Sequence, residues 1–312
     1  FALAGLGAVL MGVSSDIGGL ILGRALTGFA ASVWVLLVVA FSSLFPPEEA
    51  VRASAMLSAV NAIARMLVTA STGALNDWGG YPLSFFLAGG TACLATIVMI
   101  GVKEPQRPVK RQSLRDIKQL ITRSDVLGPS LLCAVLQYAI WSSTFGFSAN
   151  LARTLGASDV ALGLLTSMNI GVVVLGNLTT TALSRRLRSY VMVVITFGLV
   201  LLGLGLLWFS QDLWMVFAGQ ICMGLASGIG YPVLMGMSIR YVEDTRRATA
   251  MGLFQAVYAI GMFAGPWLSG MLADAVGLQP MFGIVGVLCA AIGILGTVRL
   301  RKAKRQFGTD QK

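Results

Sequence analysis

Residues 59–63 read Ala-Val-Asn-Ala-Ile, and residues 256–260, 197 positions later, read Ala-Val-Tyr-Ala-Ile. In the same register, residues 59–85 and 256–282 share nine identities in 27 positions, among them Gly80 with Gly277. Upstream the offset becomes 196 and pairs Gly28 with Gly224. A repeat of this length indicates that the chain contains two copies of one structural unit.

The composition is that of a membrane protein. Hydrophobic residues make up 56% of the 312 residues, charged residues only 12%, and the mean hydropathy is +0.81. Soluble domains carry about 25% charged residues. Here the charges lie in clusters, separated by apolar runs of roughly the 20 residues that a helix needs to cross a bilayer.

Ten apolar segments follow from this pattern, the first of them only partial. They are predicted at about Phe1–Ser14, Gly18–Phe41, Ala53–Leu75, Tyr81–Gly101, Val126–Ala149, Val160–Leu183, Tyr190–Ser210, Leu213–Ile239, Ala248–Ala273 and Leu278–Val298. Six spans separate the repeated helices, and an even number gives both copies the same orientation. The predicted fold is therefore an all-α polytopic membrane protein built from two parallel six-helix pseudo-repeats.

The repeat also predicts that the chain is a fragment. The seventh helix begins near residue 127, and the offset places its twin roughly 70 residues before Phe1. We therefore number the visible spans 3 to 12 of an expected twelve. The predicted division is the rest of the N-terminal half at residues 1–102, a linker with an amphipathic helix at 103–125, the C-terminal half at 126–298 and a basic tail at 299–312.

Positive charge is confined to one side of the predicted membrane. Of 23 Lys and Arg residues, 20 lie in alternate loops, in the central linker and in the tail, whereas the opposite loops hold only Arg153. By the positive-inside rule the central loop and the C-terminus are cytoplasmic, in a bacterial-type inner membrane. The net charge of +10 then indicates contact with anionic lipid and not with nucleic acid.

The fourth helix carries a recognisable motif. Residues 20–31 read Leu-Ile-Leu-Gly-Arg-Ala-Leu-Thr-Gly-Phe-Ala-Ala, with Arg24 followed four residues later by Gly28. This is similar to the helix-4 motif of the major facilitator superfamily, although Thr27 replaces the usual Gln. The chain resembles that superfamily over its whole length. The resemblance implies secondary transport, a role for Arg24 in proton coupling or substrate contact, and a cavity lined by helices 1, 4, 7 and 10.

A second stretch is similar to a motif of antiporters. Residues 261–266 read Gly-Met-Phe-Ala-Gly-Pro, but they lie in helix 11, whereas the antiporter motif lies in helix 5. Helix 5 has Val68-Thr69 at the equivalent place. We expect the small residues of such helices to allow close packing of elements that rock against each other. This packing set is Gly28, Gly224, Gly228, Gly261, Gly265 and Pro266.

Arg24 and Arg65 are the only charged residues inside the predicted spans. A charge at membrane depth is costly and is a functional candidate by default. Both could bind a carboxylate or phosphate, or could pair with an acid in the first two helices. No Asp, Glu or His lies within the spans, so either a proton-coupling group is expected in helices 1 and 2 or the protein is not driven by protons.

Polar and aromatic side chains within the spans are candidate substrate contacts, with hydrogen bonding between helices as the alternative. They are Asn61 in helix 5, Gln137, Tyr138 and Trp141 in helix 7, Asn169 in helix 8, Gln220 and Tyr231 in helix 10, and Gln255 and Tyr258 in helix 11.

No enzyme chemistry is predicted. The sequence has no phosphate-binding loop of the Walker type and no His, and its four Cys match neither a metal site nor a disulfide framework. We therefore expect no catalytic residues, no metal and no cofactor.

The function predicted is secondary transport of a small organic solute by alternating access, as a monomer in the bilayer and by proton-coupled efflux. Uptake or exchange of an organic anion through Arg24 and Arg65 is the alternative, and a sensor or scaffold is a third. Without helix 1, the chain as given is expected not to transport.

Overall fold

The computed structural model describes residues 1–34, 37, 41, 50–102, 120–183, 186–240, 242–243 and 246–307. The amphipathic helix predicted in the linker lies almost wholly outside the described residues. The long elements are α1 (Ala2–Val13), α2 (Ile17–Ala31), α3 (Ala50–Ile100), α4 (Ser124–Ser142), α5 (Ser148–Thr154), α6 (Asp159–Leu183), α7 (Ser189–Trp208), α8 (Leu213–Ile239), α9 (Arg247–Val276) and α10 (Leu278–Phe307), with a π-helical turn at Ser143–Phe147 between α4 and α5. Helices satisfy their own backbone hydrogen bonds, which is what an apolar surrounding requires.

Seven helices of the described part are long and apolar enough to cross a membrane. They are Trp78–Ile100, Ser124–Thr154, Asp159–Thr180, Ser189–Trp208, Leu213–Ile239, Thr249–Val276 and Leu278–Arg301, and the shorter apolar helices α1 and α2 accompany them. The prediction of an all-α polytopic membrane protein is therefore confirmed.

Two compact units divide the chain, Phe1–Val109 and Lys110–Lys312. In the first unit, α1 packs against α2 and against the second part of α3. A Cβ atom at Gly7 would lie 2.6 Å from the Gly23 carbonyl oxygen, and one at Gly5 would lie 3.4 Å from the Ala92 Cβ. These small residues let the backbones of α1 and its neighbours come close.

The second unit has a continuous apolar core. Its largest fully buried side chains include Phe197, Leu204, Met223, Phe254 and Phe282, which come from α7, α8, α9 and α10. The most extensive helix pairs are α4 with α9, α8 with α7, α10 with α7 and α8 with α6.

The predicted loop between the spans 53–75 and 81–101 is helical apart from one residue. Gly80 has φ 69° and ψ 178°, so the chain turns there within α3. The hydroxyl of Ser84 donates to Asn76 Oδ1 across the turn at 3.0 Å. The repeat partner Gly277 also has a positive φ, 92°, and separates α9 from α10. Such conformations are strained for any residue with a Cβ atom, so both turns require glycine.

The same repeat is visible at a helix start. Asp16 caps α2 by accepting a hydrogen bond from the Gly19 backbone N–H at 3.4 Å, and Asp212 caps α8 by accepting from Met215 at 2.9 Å. The two aspartates are 196 residues apart, the offset of the upstream repeat. An aspartate at this position satisfies one of the free N–H groups of a helix end.

Candidate functional site

Two glycines of α9, Gly261 and Gly265, bring the backbones of α4 and α9 into contact. A Cβ atom at Gly261 would collide with the carbonyl group of Ala134, and one at Gly265 would lie 2.7 Å from the Tyr138 carbonyl oxygen. The positions on each helix are four residues apart and therefore lie on one face. These two glycines of the predicted packing set thus pack against the segment of α4 that carries the candidate contacts Gln137, Tyr138 and Trp141.

Tyr138 also makes a side-chain hydrogen bond to α9, one helical turn beyond Gly265. The hydroxyl of the buried Ser269 donates to the Tyr138 hydroxyl oxygen at 3.1 Å. Its neighbours Gln137 and Trp141 are half-buried. Trp141 packs on Phe145 with ring centroids 4.8 Å apart, whereas the Gln137 side chain has no hydrogen-bond partner among the described residues.

The helix changes its winding directly after this cluster. Residues Ser143–Phe147 form a π-helical turn, in which the Ser148 backbone N–H donates to the Ser143 carbonyl oxygen five residues back. The Thr144 Oγ1 atom is buried and lacks a hydrogen-bond partner in the described part of the chain. Single π-helical turns are frequent at functional sites, and the sequence prediction of one continuous helix over 126–149 missed this one.

A second polar contact lies between α6 and α8. The buried Asn169 Nδ2 donates to the Gln220 carbonyl oxygen at 3.0 Å and to its Oε1 at 3.3 Å. Gln220 is only 1% exposed, and its Nε2 finds no acceptor among the residues described. These two predicted site residues therefore bind each other inside the bundle, which is the hydrogen bond between helices that the sequence left as the alternative.

Glycines again bring the two backbones together. A Cβ atom at Gly224 would lie 3.0 Å from the Asn169 carbonyl oxygen, and one at Gly228 would collide with Val173. The Thr180 hydroxyl donates to the Gly228 carbonyl oxygen at 3.2 Å, so a second hydrogen bond crosses this interface.

Three aromatic rings meet between α8 and α9. Tyr231 and Tyr258 pack edge to face with centroids 5.6 Å apart, and the buried Phe254 lies 6.0 Å from the first and 5.4 Å from the second. The structure thus brings two predicted site residues together. Phe254 was missed, although its position four residues before Tyr258 on one helix face could have indicated it.

The two arginines of the predicted spans, Arg24 and Arg65, are exposed. Gly23 is buried in the α1–α2 contact, whereas the next residue, Arg24, is exposed. Arg65 lies one turn after the exposed Asn61 in the first part of α3. Within the described ranges, neither guanidinium makes a hydrogen bond or an ion pair.

The remaining predicted residues make few contacts. Gln255 is half-buried on α9, and its side chain has no hydrogen bond to any described residue. Pro266 lies within α9 without ending it. A Cβ atom at Gly28 would meet no described atom within 4 Å, so no packing partner for Gly28 is found in the part of the chain that the structure describes.

Comparison with known proteins gives relatives along the whole chain. A family model described as Major Facilitator Superfamily matches residues 1–149 and again residues 130–311. An MFS-type efflux pump of Mycolicibacterium smegmatis is 27% identical over 280 residues, which cover 83% of this chain and 65% of the pump. An uncharacterized MFS-type transporter of Methanocaldococcus jannaschii is 22% identical over 237 residues, covering 74% of this chain and 61% of the transporter.

A glucose-6-phosphate exchanger of Xenopus tropicalis is 29% identical over 156 residues, 49% of this chain and 30% of its own length. The chain spans less than two thirds of the length of these relatives. Among solved structures, a bacterial homolog of the human lysosomal transporter Spinster in an inward-facing, unoccupied conformation matches with a TM-score of 0.76. The identity is 15%, over 96% of this chain and 82% of that one.

The likeness to this structure extends over nearly the whole chain at low identity, so it bears on the fold alone. The two matches of the family model together cover the described residues and the predicted linker. Members of this family are transporters and not enzymes. This chain is an integral membrane protein that belongs to the Major Facilitator Superfamily.

Proposed function

We propose that the chain is the larger part of a secondary transporter that exports a small organic solute by alternating access. The observation that carries this proposal is the polar and aromatic group on α4. Gln137, Tyr138 and Trp141 lie half-buried on one helix, directly before a π-helical turn. The Tyr138 hydroxyl is bound to Ser269, whereas Gln137 has no hydrogen-bond partner among the described residues. Such a polar and aromatic group suits a solute with an aromatic or amphipathic body.

Export is favoured over import by two observations. One relative, whose match covers 83% of this chain, is an efflux pump. The stretch Gly261–Pro266, which resembles an antiporter motif, contacts α4 through its two glycines, and Gly265 lies against Tyr138 and Trp141 of the α4 group. A glycine contact keeps the two helices close without locking side chains together, so the pair can move against other helices as one body.

We further propose that protons drive the export, that the protein acts as a monomer and that it lies in a bacterial-type inner membrane with the central loop and C-terminus in the cytoplasm. The supports are the distribution of Lys and Arg and the motif around Arg24. Because the predicted spans hold no Asp, Glu or His, the titratable group would come from residues outside them.

A deletion strain tests the export proposal. Cells that lack the encoding gene are compared with wild-type cells on a panel of toxic amphiphiles, and the gene is then returned with Trp141→Ala or Tyr138→Phe. We expect greater sensitivity to at least one compound on deletion and poor rescue by Trp141→Ala. The matched control is Trp267→Ala, since Trp267 is 59% exposed on the outside of α9.

Two results would count against this account, the first against export itself and the second against the α4 group. The first is a deletion strain that is no more sensitive to any amphiphile but has lost uptake of one organic acid. The second is full rescue by Trp141→Ala at wild-type protein levels, which would leave the transport proposal standing but remove the α4 group from it.

Exchange or uptake of an organic anion is a second candidate function. It is favoured by Arg24 and Arg65, two exposed guanidiniums for which no partner is found among the described residues, and by the similarity to a glucose-6-phosphate exchanger. A guanidinium can bind a carboxylate or phosphate through two parallel hydrogen bonds.

Uptake of labelled organic acids and sugar phosphates tests this second candidate. Arg24→Gln and Arg65→Gln should each lower uptake by at least tenfold, and Arg24→Lys should restore only part of it because Lys lacks the planar fork. Arg153→Gln is the control, since Arg153 at the end of α5 pairs with Asp159 at the start of α6 at 3.1 Å, and both side chains are exposed. Normal uptake by both Gln variants would exclude anion binding by these arginines.

A further inference from the structure

An apolar groove of about 340 Å³ runs between α4 and α10. Each helix contributes residues from a single face, with spacings of three, four and seven or eight positions. Those on α4 are Gly128, Leu131, Leu132 and Val135, and those on α10 are Ile292, Gly296, Arg299 and Leu300. Leu131 is 52% exposed and Ile292 is 54% exposed, so the groove opens to the surface of the second unit.

Two of the residues that line the groove are glycines packed against leucines. A Cβ atom at Gly128 would collide with Leu300, and one at Gly296 would lie 2.8 Å from the Leu132 Cδ2 atom. Each glycine is thus covered by a leucine of the other helix, and the apolar channel runs along this contact. At about 1.5 Å per residue, the channel is roughly 10–12 Å long.

One end of the groove carries a positive charge. Arg299 lines this end, is exposed, and makes no hydrogen bond or ion pair with the residues that the structure describes. Arg123, which directly precedes α4, instead donates two hydrogen bonds to the Asp125 carboxylate, at 3.1 and 2.7 Å. Of the described residues that line the groove, Arg299 is the one that carries a charge.

We propose that this groove binds one anionic phospholipid, with an acyl chain in the channel and the phosphate on Arg299. The apolar length lies along membrane-spanning helices, so hydrocarbon is its natural occupant. The guanidinium lies at the end of the apolar part of α10, at the depth of the lipid headgroups. Basic residues at this depth attract anionic lipids. The ligand class thus follows from an apolar channel that ends at a cation without a partner among the described residues.

A second groove in the same unit serves as an internal comparison. It has about 480 Å³ between α7, α8 and α10, and it is lined by Gly198, Leu201, Leu202, Gly205, Leu206, Trp208, Phe209, Met215, Gly283 and Val287. Its lining includes no charged side chain. It should accept apolar chains without regard to the headgroup.

Native mass spectrometry of the full chain in detergent tests the proposal, with phosphatidylglycerol and phosphatidylcholine as the two probes. We expect one phosphatidylglycerol to be retained more strongly than phosphatidylcholine, and Arg299→Gln to weaken its binding about tenfold. Arg301→Gln is the matched control, because Arg301 is an exposed arginine of the same helix that does not line the groove.

A second pair of variants tests the channel. Ile292→Trp should fill the groove and remove the strongly bound phosphatidylglycerol, whereas Val287→Trp, at a position 53% exposed in the uncharged groove, should leave it bound. Each Trp lies at an exposed position, so neither variant has to be accommodated in the core. The proposal is overturned if Arg299→Gln and Arg301→Gln have equal effects, if both lipids bind equally well, or if Ile292→Trp leaves binding unchanged.

Discussion

Asn169 on α6 and Gln220 on α8 are joined by one amide group, since the Asn169 Nδ2 donates to both the carbonyl oxygen and the Oε1 atom of Gln220. Both side chains are at least 95% buried. A polar pair of this kind in a membrane-spanning bundle fixes the register of two helices, because separating them would leave amide groups without partners in an apolar surrounding.

Replacing Asn169 by Ala should lower the stability of the protein by about 1 kcal/mol, in the range measured for hydrogen bonds between membrane helices. The reason is that Gln220 would lose its buried donor. Thermal unfolding in detergent, followed by tryptophan fluorescence, measures the change as a lower Tm. Asn150→Ala, at an exposed position, should leave the Tm unchanged, and equal Tm values for both variants would contradict the role given to the pair.

Replacing Gly261 by Ala should destabilise the second unit by about 1–3 kcal/mol, the usual effect of overpacking. The added methyl group would collide with the Ala134 carbonyl group, so α4 and α9 would have to separate. The control lies on the same helix, because a Cβ atom at Gly252 meets no described atom within 4 Å. Gly252→Ala should be neutral or slightly stabilising. A Gly261→Ala protein with a wild-type Tm would show that the contact is not as close as described.

The hydroxyl contact between Tyr138 and Ser269 should show a coupling energy of about 0.6 kcal/mol, and no more than about 1.7. Tyr138→Phe, Ser269→Ala and the double variant form a thermodynamic cycle, and their Tm values measure the coupling. If Tyr138 also contacts the solute, Tyr138→Phe lowers transport more than Ser269→Ala does. Strictly additive effects on stability would mean that the 3.1 Å contact contributes nothing.

Gly80→Ala and Gly277→Ala should each lower the free energy of unfolding by about 1–3 kcal/mol. The reason is that a residue with a Cβ atom is strained at the positive φ values of 69° and 92° found at these positions. Gly90→Ala in the first unit and Gly236→Ala in the second are the matched controls, since both lie within helices and a Cβ atom there meets no described atom within 4 Å. Circular dichroism with thermal melting measures the losses. Similar Tm values for all four variants would contradict the requirement for glycine.

Several features of the fold could be predicted from the sequence because each depends on local chemistry. Apolar runs of bilayer length predicted the helices, and the bounds of α8, Leu213–Ile239, agree with the predicted span. The repeat paired Gly80 with Gly277, and the structure gives both the same role at a turn between helices. A positive φ requires glycine at one position, so a turn of this kind can be recognised from the sequence.

The candidate site depended on the tertiary structure. Sequence alone could not tell that Asn169 and Gln220 bind each other, or that Tyr231 and Tyr258 meet at 5.6 Å, because either pair could instead face a cavity. The π-helical turn at Ser143–Phe147 also left no periodicity signal, since one extra residue in a turn hardly changes an apolar pattern.

The sequence by itself determined the apolar helices, the twofold internal repeat and the glycines at the turns between helices. These features follow from hydrophobicity and backbone conformation. What only the tertiary structure decided is which faces of those helices meet. Glycines occur throughout the spans, yet Gly261 lies against Ala134 whereas a Cβ atom at Gly28 meets no described atom within 4 Å. In an apolar surrounding, all faces of such helices are similarly hydrophobic, so the choice of partner rests on shape and on a few buried hydrogen bonds between residues far apart in the chain.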